Sequence, residues 1–222
     1  MRRAAGALIL ALAVVLPAPG RATVPGDAPV SGAEAPDAGA EAPAPRISGF
    51  RSAAFGDDES AVRRAIYRDF GLAGDDVVRT RNDLEQTTVL SIAVDDLIPD
   101  AGRARVSYVL GRGGRLIQVT VLWGLDIDPS VQTVDLEAAA ALLMGYFGEQ
   151  GYVSEGGPAP VAFVDGSNLL FYARDAEGGG LALSALPRRD PEAPADAPPI
   201  LRLAYTADVA NPDVFRAPSI TP

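Results

Sequence analysis

The chain of 222 residues contains no histidine, no cysteine and no lysine, and all 19 of its basic side chains are arginine. Histidine supplies the imidazole that titrates near neutral pH, cysteine the thiolate nucleophile, and lysine the amine that forms Schiff bases. Imidazole and thiolate are also the ligands that hold most transition metals in proteins. The composition therefore predicts a chain that binds other molecules without catalysing a reaction, with no metal site and no cofactor.

The charge balance excludes a second group of functions. The 29 aspartates and glutamates outnumber the arginines, and the formal net charge is −10. An acidic chain is a poor candidate for binding a phosphate backbone or an anionic lipid surface, so we expect no nucleic-acid partner. The absence of cysteine excludes disulfides and an N-terminal lipid anchor. Stability must therefore come from a hydrophobic core.

The first 22 residues are typical of a secretory signal peptide. Arg2 and Arg3 precede an uncharged apolar run at residues 4–16, and small residues follow up to Ala22. A bilayer requires about 20 apolar helical residues, so this run is too short to remain as a membrane anchor. We expect cleavage near Ala22 and a periplasmic or secreted mature chain without a transmembrane segment.

The rest of the chain divides by composition. Residues 23–45 are rich in alanine, proline and acidic residues, and they predict a disordered linker. Residues 46–217 carry the large apolar side chains and predict a single folded domain. Within this domain, the proline-rich residues 188–199 predict a surface loop. Residues 218–222 predict a disordered tail.

Two segments of the predicted domain have helical periodicity. In residues 59–70 the apolar side chains fall on one stripe, with Asp57 or Asp58 as the N-cap. Residues 133–150 repeat this pattern, with Thr133 or Asp135 as the cap and a glycine at the end. The predicted buried residues are Val62, Ala65, Ile66 and Phe70 in the first helix and Leu136, Ala139, Ala140, Leu143 and Phe147 in the second.

Six segments alternate apolar and polar side chains with the period of a strand. They are residues 88–94, 104–110, 115–123, 168–174, 181–186 and 200–206. The glycine-rich residues 111–114 join the second and third of these as a hairpin. The order helix, strands, helix, strands predicts an α+β fold in which two helices pack on an antiparallel sheet, as two successive α-βββ units.

Carboxylates are the remaining candidates for chemistry. Two suitably placed carboxylates can hydrolyse a glycosidic bond without histidine. On the second predicted helix, however, Glu137 and Glu149 would lie about 18 Å apart along the axis. Asp126 and Asp128 resemble the start of a calcium loop, but the later ligands of such a loop are missing. Neither pattern predicts a catalytic or metal site.

Arginines concentrate around the predicted 104–123 hairpin. They are Arg103, Arg105, Arg112 and Arg115, and Trp123 ends the same hairpin. Their ordinary interpretation is a solvated face that protects a strand edge from aggregation. The alternative is a docking patch for an acidic partner or a carboxylate ligand, because the arginine fork binds carboxylates with two hydrogen bonds. These five residues are the predicted ligand- or partner-binding residues, although the packing pattern favours a core position for Trp123.

Part of the chain is similar to a known family. The segment FRSAAFGDDESAVRRAI at residues 50–66 begins a helix, and VSYVLG at 106–111 leads to LIQVTV at 116–121. Over residues 50–123 this arrangement resembles the BamE/SmpA-type outer-membrane assembly domain. The lipid-bearing cysteine of that family is absent, and Asp57 stands where its helix usually begins with methionine. The resemblance implies a scaffold or assembly role.

Three hypotheses for function remain. The first is an exported, non-catalytic accessory or assembly protein that contacts an unknown protein partner in the cell envelope. The second is a domain that binds a small anionic ligand through arginines in a cleft between helix and sheet. The third is a carboxylate-based glycoside hydrolase.

Overall fold

A computed structural model describes residues 45–157, 159–188 and 197–215 of the chain. The predicted signal peptide, the linker up to residue 44, most of the 188–199 loop and the predicted tail at 218–222 lie outside the described residues. All described residues belong to one compact unit. Within them, no helix is long and apolar enough to cross a membrane.

Helix α1, Glu59–Phe70, confirms the predicted first helix. Of the two candidate caps it is Asp58 that acts, because its Oδ1 accepts a hydrogen bond from the Ala61 amide at 2.8 Å. The helix ends at Gly71, whose φ of 71° is the left-handed conformation that glycine adopts without strain.

Helix α2, Thr133–Glu149, begins differently from the prediction. Its N-cap is Gln132, and neither Thr133 nor Asp135 takes that position. Asp135 lies in the first turn instead, where its Oδ2 accepts a hydrogen bond from the Gln132 amide at 3.0 Å. Acidic side chains in the first turn interact favourably with the positive end of the helix dipole, so the carboxylate still stabilises this end.

The strands form one large sheet and one small one. A two-stranded ribbon, β1 (Gly49–Phe50) with β2 (Ala53–Ala54), precedes α1. The large sheet is antiparallel throughout, in the order β3-β4-β5-β6-β10-β9-β8-β7. Its strands are β3 (Val78–Asn82), β4 (Thr87–Val94), β5 (Ala104–Leu110), β6 (Leu116–Trp123), β7 (Val161–Ala162), β8 (Asn168–Arg174), β9 (Gly180–Leu186) and β10 (Ile200–Thr206).

This arrangement confirms the predicted α+β fold of two helices on an antiparallel sheet. Each helix precedes a run of four strands, and the last strands of the two runs, β6 and β10, pair with each other. The units are therefore α-ββββ and not α-βββ. Besides the β1–β2 ribbon, the two strands absent from the prediction lie at the edges of the large sheet: β7 has only two residues, and four of the five residues of β3 are exposed.

Both helices pack on the same side of the sheet, which we call the helix-facing side. Side chains of successive strand residues alternate between the two sides. The buried helix residues form one core with Leu90, Val106, Tyr108, Val119, Val121, Trp123, Leu183, Leu201 and Leu203 of the helix-facing side. The opposite side, which we call the helix-free side, presents smaller and more polar side chains, including Ser107 and Thr120.

Candidate functional site

The four arginines predicted to form a patch lie at two opposite ends of β5. Arg103 precedes the strand and bonds Asp95 through Nε at 2.7 Å. Arg112 and Arg115 are exposed in the hairpin at the other end, separated from Arg103 by the length of the strand, about 20 Å. The backbone amide of Arg112 donates to the carbonyl of Asp213, so the C-terminal segment already contacts this hairpin.

Arg105 and Trp123 point to opposite sides of the sheet. Arg105 is paired with Leu122 and lies on the helix-free side, partly exposed. Trp123 is fully buried on the helix-facing side, opposite Leu201 of β10. The structure therefore does not bring the five predicted residues together, and it places Trp123 in the core and in the wall of a cavity.

That cavity has a volume of about 530 Å³ and lies between α2 and the sheet. We call it the helix–sheet cleft. Ligand sites in proteins commonly enclose about 300–1,000 Å³ and have mostly apolar walls, so its size suits a small molecule. Its lining residues are Gly49, Phe50, Arg51, Leu97, Ile98, Trp123, Leu142, Leu143, Tyr146, Phe147, Gln150, Tyr152, Leu203 and Tyr205.

Aromatic side chains form much of the cleft wall. The ring of Phe147 lies 5.7 Å from that of Tyr146 and 6.4 Å from that of Tyr152, both in edge-to-face contact. Phe50 and Tyr205 face each other at 5.5 Å. Such contacts fix the rings in place and contribute beyond their buried area. The wall is therefore preorganised to receive an apolar or aromatic group.

The cleft contains one charged residue, Arg51, and no carboxylate. The guanidinium carbon of Arg51 lies 5.0 Å from the centre of the Phe70 ring and 6.0 Å from that of Phe50. Contact with these rings does not use the hydrogen-bond donors of the guanidinium. Arg51 also forms no ion pair among the described residues, so its donors are available to a ligand. An acidic group of a ligand at this position could accept two hydrogen bonds from the Arg51 guanidinium.

The deeper polar groups of the cleft are hydrogen-bond donors. The indole Nε1 of Trp123 is buried and has no hydrogen-bond partner within the described residues. Burial raises the pKa of the Tyr205 hydroxyl above its ordinary value, and the nearby Tyr146 and Tyr152 act in the same direction. Burial raises the pKa of Tyr152 as well, with Asp175 contributing. Both hydroxyls therefore remain protonated at neutral pH. The Tyr152 hydroxyl donates to the Arg46 carbonyl at 3.4 Å, which leaves the Tyr205 hydroxyl to donate to a ligand.

The carboxylates singled out in the sequence lie outside the cleft. Asp128 accepts hydrogen bonds from Ser130 and from the Arg103 amide, which makes it a turn residue before α2. Glu137 and Glu149 are exposed on α2. Among the described residues no group of three or more acidic side chains could hold a metal ion. The arrangement in the cleft can bind a ligand but offers no acid–base pair.

Sequence reasoning missed most of the cleft, including Arg51. One signal was available: Leu142 and Tyr146 are apolar, four residues apart, and lie beside the buried stripe of α2. They are 55% and 51% exposed, so the apolar face of this helix is wider than its contact with the sheet. An apolar face of this width indicates an additional binding surface.

Comparison with known proteins adds no assignment: no family model, curated protein or solved structure matches the chain. The resemblance to the BamE/SmpA-type domain therefore stays a prediction.

Proposed function

We propose that this chain is an exported, non-catalytic binding protein whose helix–sheet cleft takes up a small ligand with an apolar body and one acidic group. The observation that carries the proposal is the composition of the cleft. Aromatic and aliphatic side chains form the walls, and the cation of Arg51 is the only charge among the described lining residues. An acidic group of the ligand would pair with this cation while its apolar body is buried against the rings.

Trp123 provides the test, because it is the only tryptophan of the chain and lines the cleft. Titration of the domain with decanoate is expected to change the Trp123 emission saturably. Decan-1-ol has the same chain without the charge, so it should bind about tenfold or more weakly, as the loss of one charge-assisted hydrogen bond predicts. An emission unchanged by decanoate would overturn the proposal.

Two pairs of variants locate the binding site. Arg51→Gln is expected to weaken decanoate binding towards that of decan-1-ol, while Arg112→Gln on the exposed hairpin should leave both affinities unchanged. Tyr146→Ser removes part of the cleft wall and should weaken both ligands. Val134→Ser changes an exposed residue of the same helix outside the cleft, so it should have no effect. Equal binding by all four variants would place the ligand elsewhere.

A second candidate is the accessory role through protein contacts, which the resemblance to an assembly domain also implies. It is favoured by the outer surface of α2, where Val134 is 67% exposed and continues the apolar surface of Leu142 and Tyr146. The proposed occupant is an apolar surface of a cell-envelope protein.

Variants that change the outer surface of α2 without touching the cleft separate the two candidates. Wild-type domain immobilised in periplasmic extract should retain a stoichiometric partner, and Val134→Glu should lose it. Leu84→Glu is the matched control, because Leu84 is 74% exposed at a distant turn. Retention of the same partner by Val134→Glu would reject this surface.

Export is part of the proposal and has its own test. The arginine pair, the apolar run and the small residues up to Ala22 support a periplasmic or secreted protein cleaved near that residue. Expression of the full chain in a bacterium should yield a periplasmic form whose mass matches a chain that starts at Thr23. A product that stays in the cytoplasm at full mass would contradict it.

A further inference from the structure

A second arginine pair lies on the helix-free side of the sheet, away from the helix–sheet cleft. Arg105 of β5 is paired with Leu122 of β6, and Leu122 is paired in turn with Arg202 of β10. The three side chains therefore form one row across the sheet. Two strand spacings separate the Cα atoms of Arg105 and Arg202 by about 10 Å, which two arginine side chains can bridge to reach one ligand.

Arg105 and Arg202 differ from most other arginines of the sheet in having no ionic partner within the described part of the chain. Among the described residues, neither side chain forms a hydrogen bond or a salt bridge, although both are only partly exposed to solvent. Burial lowers the pKa of the Arg202 guanidinium below its usual range. A partly desolvated cation without a counter-charge is unfavourable, so an anion bound at this row would relieve part of that cost.

The described strands place no carboxylate beside this row. None of the eight strands contains an aspartate or a glutamate. In the loops beyond this end of the sheet, Asp95 is paired with Arg103 and Asp126 with Arg188. By contrast, Arg174 at the other end of the helix-free side bonds Glu155 at 3.0 Å. Arg105 and Arg202 thus have no counter-charge among the residues that the structure describes.

The neighbouring row adds hydroxyl groups. Ser107 and Thr120 lie beside the arginine row and face each other across β5 and β6. Both residues are buried: the Ser107 hydroxyl is hydrogen-bonded to that of Ser91 at 2.9 Å, and the Thr120 hydroxyl accepts a hydrogen bond from Gln118 Nε2 at 2.9 Å. These hydroxyls therefore support the sheet beside the arginines, and the groups left for a ligand are the two cations and the apolar Leu122 between them.

We propose that this row binds a short dicarboxylate, with one carboxylate at Arg105, the other at Arg202 and the hydrocarbon spacer over Leu122. Each arginine fork matches one carboxylate with two hydrogen bonds, and the apolar spacer covers the leucine. This site is independent of the ligand proposed for the helix–sheet cleft, and each can fail without the other.

Calorimetric titration with a series of chain lengths tests the proposal. Malonate, succinate, glutarate and adipate are compared with butyrate, which has only one carboxylate. The best dicarboxylate should bind at least about tenfold more tightly than butyrate, because it gains a second charge-assisted contact. Inorganic phosphate binding as tightly as the best dicarboxylate would overturn the proposal, and so would tighter binding of a hexa-aspartate peptide.

Variants assign the binding to the two arginines. Arg105→Gln and Arg202→Gln should each weaken the best dicarboxylate about tenfold or more and leave butyrate much less affected. Arg105→Lys keeps the charge but loses the fork, so it should also weaken the dicarboxylate. Arg112→Gln is the matched control, with wild-type affinity expected. Thermal unfolding verifies that each variant is folded, and wild-type dicarboxylate affinity in both glutamine variants would refute the site.

Discussion

The Asp128 carboxylate accepts a hydrogen bond from the Ser130 hydroxyl at 2.6 Å within the loop that connects β6 to α2. The amides of Arg103 and Ser130 donate to the same carboxylate at 2.9 Å. All three hydrogen bonds favour the ionised form and lower the pKa of Asp128 from 3.8 to about 2.

This lowered pKa predicts a defined acid sensitivity. A carboxylate with a depressed native pKa stabilises the fold above its ordinary pKa and loses that contribution as the pH falls towards the native value. The melting temperature of the wild type should therefore decrease more steeply between pH 4 and pH 2 than that of Asp128→Asn. Asp76→Asn, an exposed control in a turn, should follow the wild-type profile. Identical profiles for Asp128→Asn and the wild type would contradict the assignment.

The cap of α1 gives a second prediction. Asp58→Ala removes the acceptor of the Ala61 amide and should lower the free energy of unfolding by about 1 kcal/mol, whereas Asp58→Asn should retain most of it. Urea denaturation measures both. If both variants lose the same free energy of unfolding, the Asp58 side chain does not stabilise the helix by capping it.

The unpartnered indole of Trp123 gives a third prediction. Trp123→Ala should cost about 3–5 kcal/mol, as for other large core side chains. Trp123→Phe loses packing but also removes the buried N–H, whose unmade hydrogen bond opposes folding. We therefore expect it to cost only about 1 kcal/mol. Denaturation followed by circular dichroism measures the unfolding free energy of both variants. If Trp123→Phe lowers it as much as Trp123→Ala does, the indole N–H has a partner.

Arg202 links stability to binding in a fourth prediction. Arg202→Met keeps the length of the side chain and removes the unpaired charge, so it should stabilise the domain by about 1 kcal/mol. For a domain of this size that corresponds to a rise in melting temperature of about 2–4 °C. The same variant should lose dicarboxylate binding. A decrease in melting temperature would indicate that Arg202 has a stabilising partner.

Most of the fold could be predicted from the sequence because its elements have strong periodicity. The stripe of Val62 and Ile66 defines α1, and the alternation at Val106 and Tyr108 defines β5. The edge strands could not be predicted in this way. Residues 78–82, VRTRN, lie at the edge with four of five side chains exposed, so no buried face imposes an alternating pattern on them.

The candidate sites were harder to predict because they depend on which strands are neighbours. Arg105 and Arg112 are close in sequence, yet the strand between them keeps them apart. Arg105 and Arg202 are far apart in sequence, and only the pairing of β6 with β10 brings them into one row. Similarly, Arg51 is distant in sequence from α2, and it lines the same cleft only because the β1–β2 ribbon lies near that helix. Local periodicity carries no information about such contacts.

The pairing of β6 with β10 also determines when the sheet can be completed. The last described strand, β10, lies between β6 and β9, near the centre of the sheet. Until residues 200–206 are available, β6 and β9 lack the strand that joins the two halves. Contacts between distant segments form slowly in folding, so completion of the sheet waits for this strand. Such a delay suits a polypeptide whose first residues predict transport across a membrane before it folds.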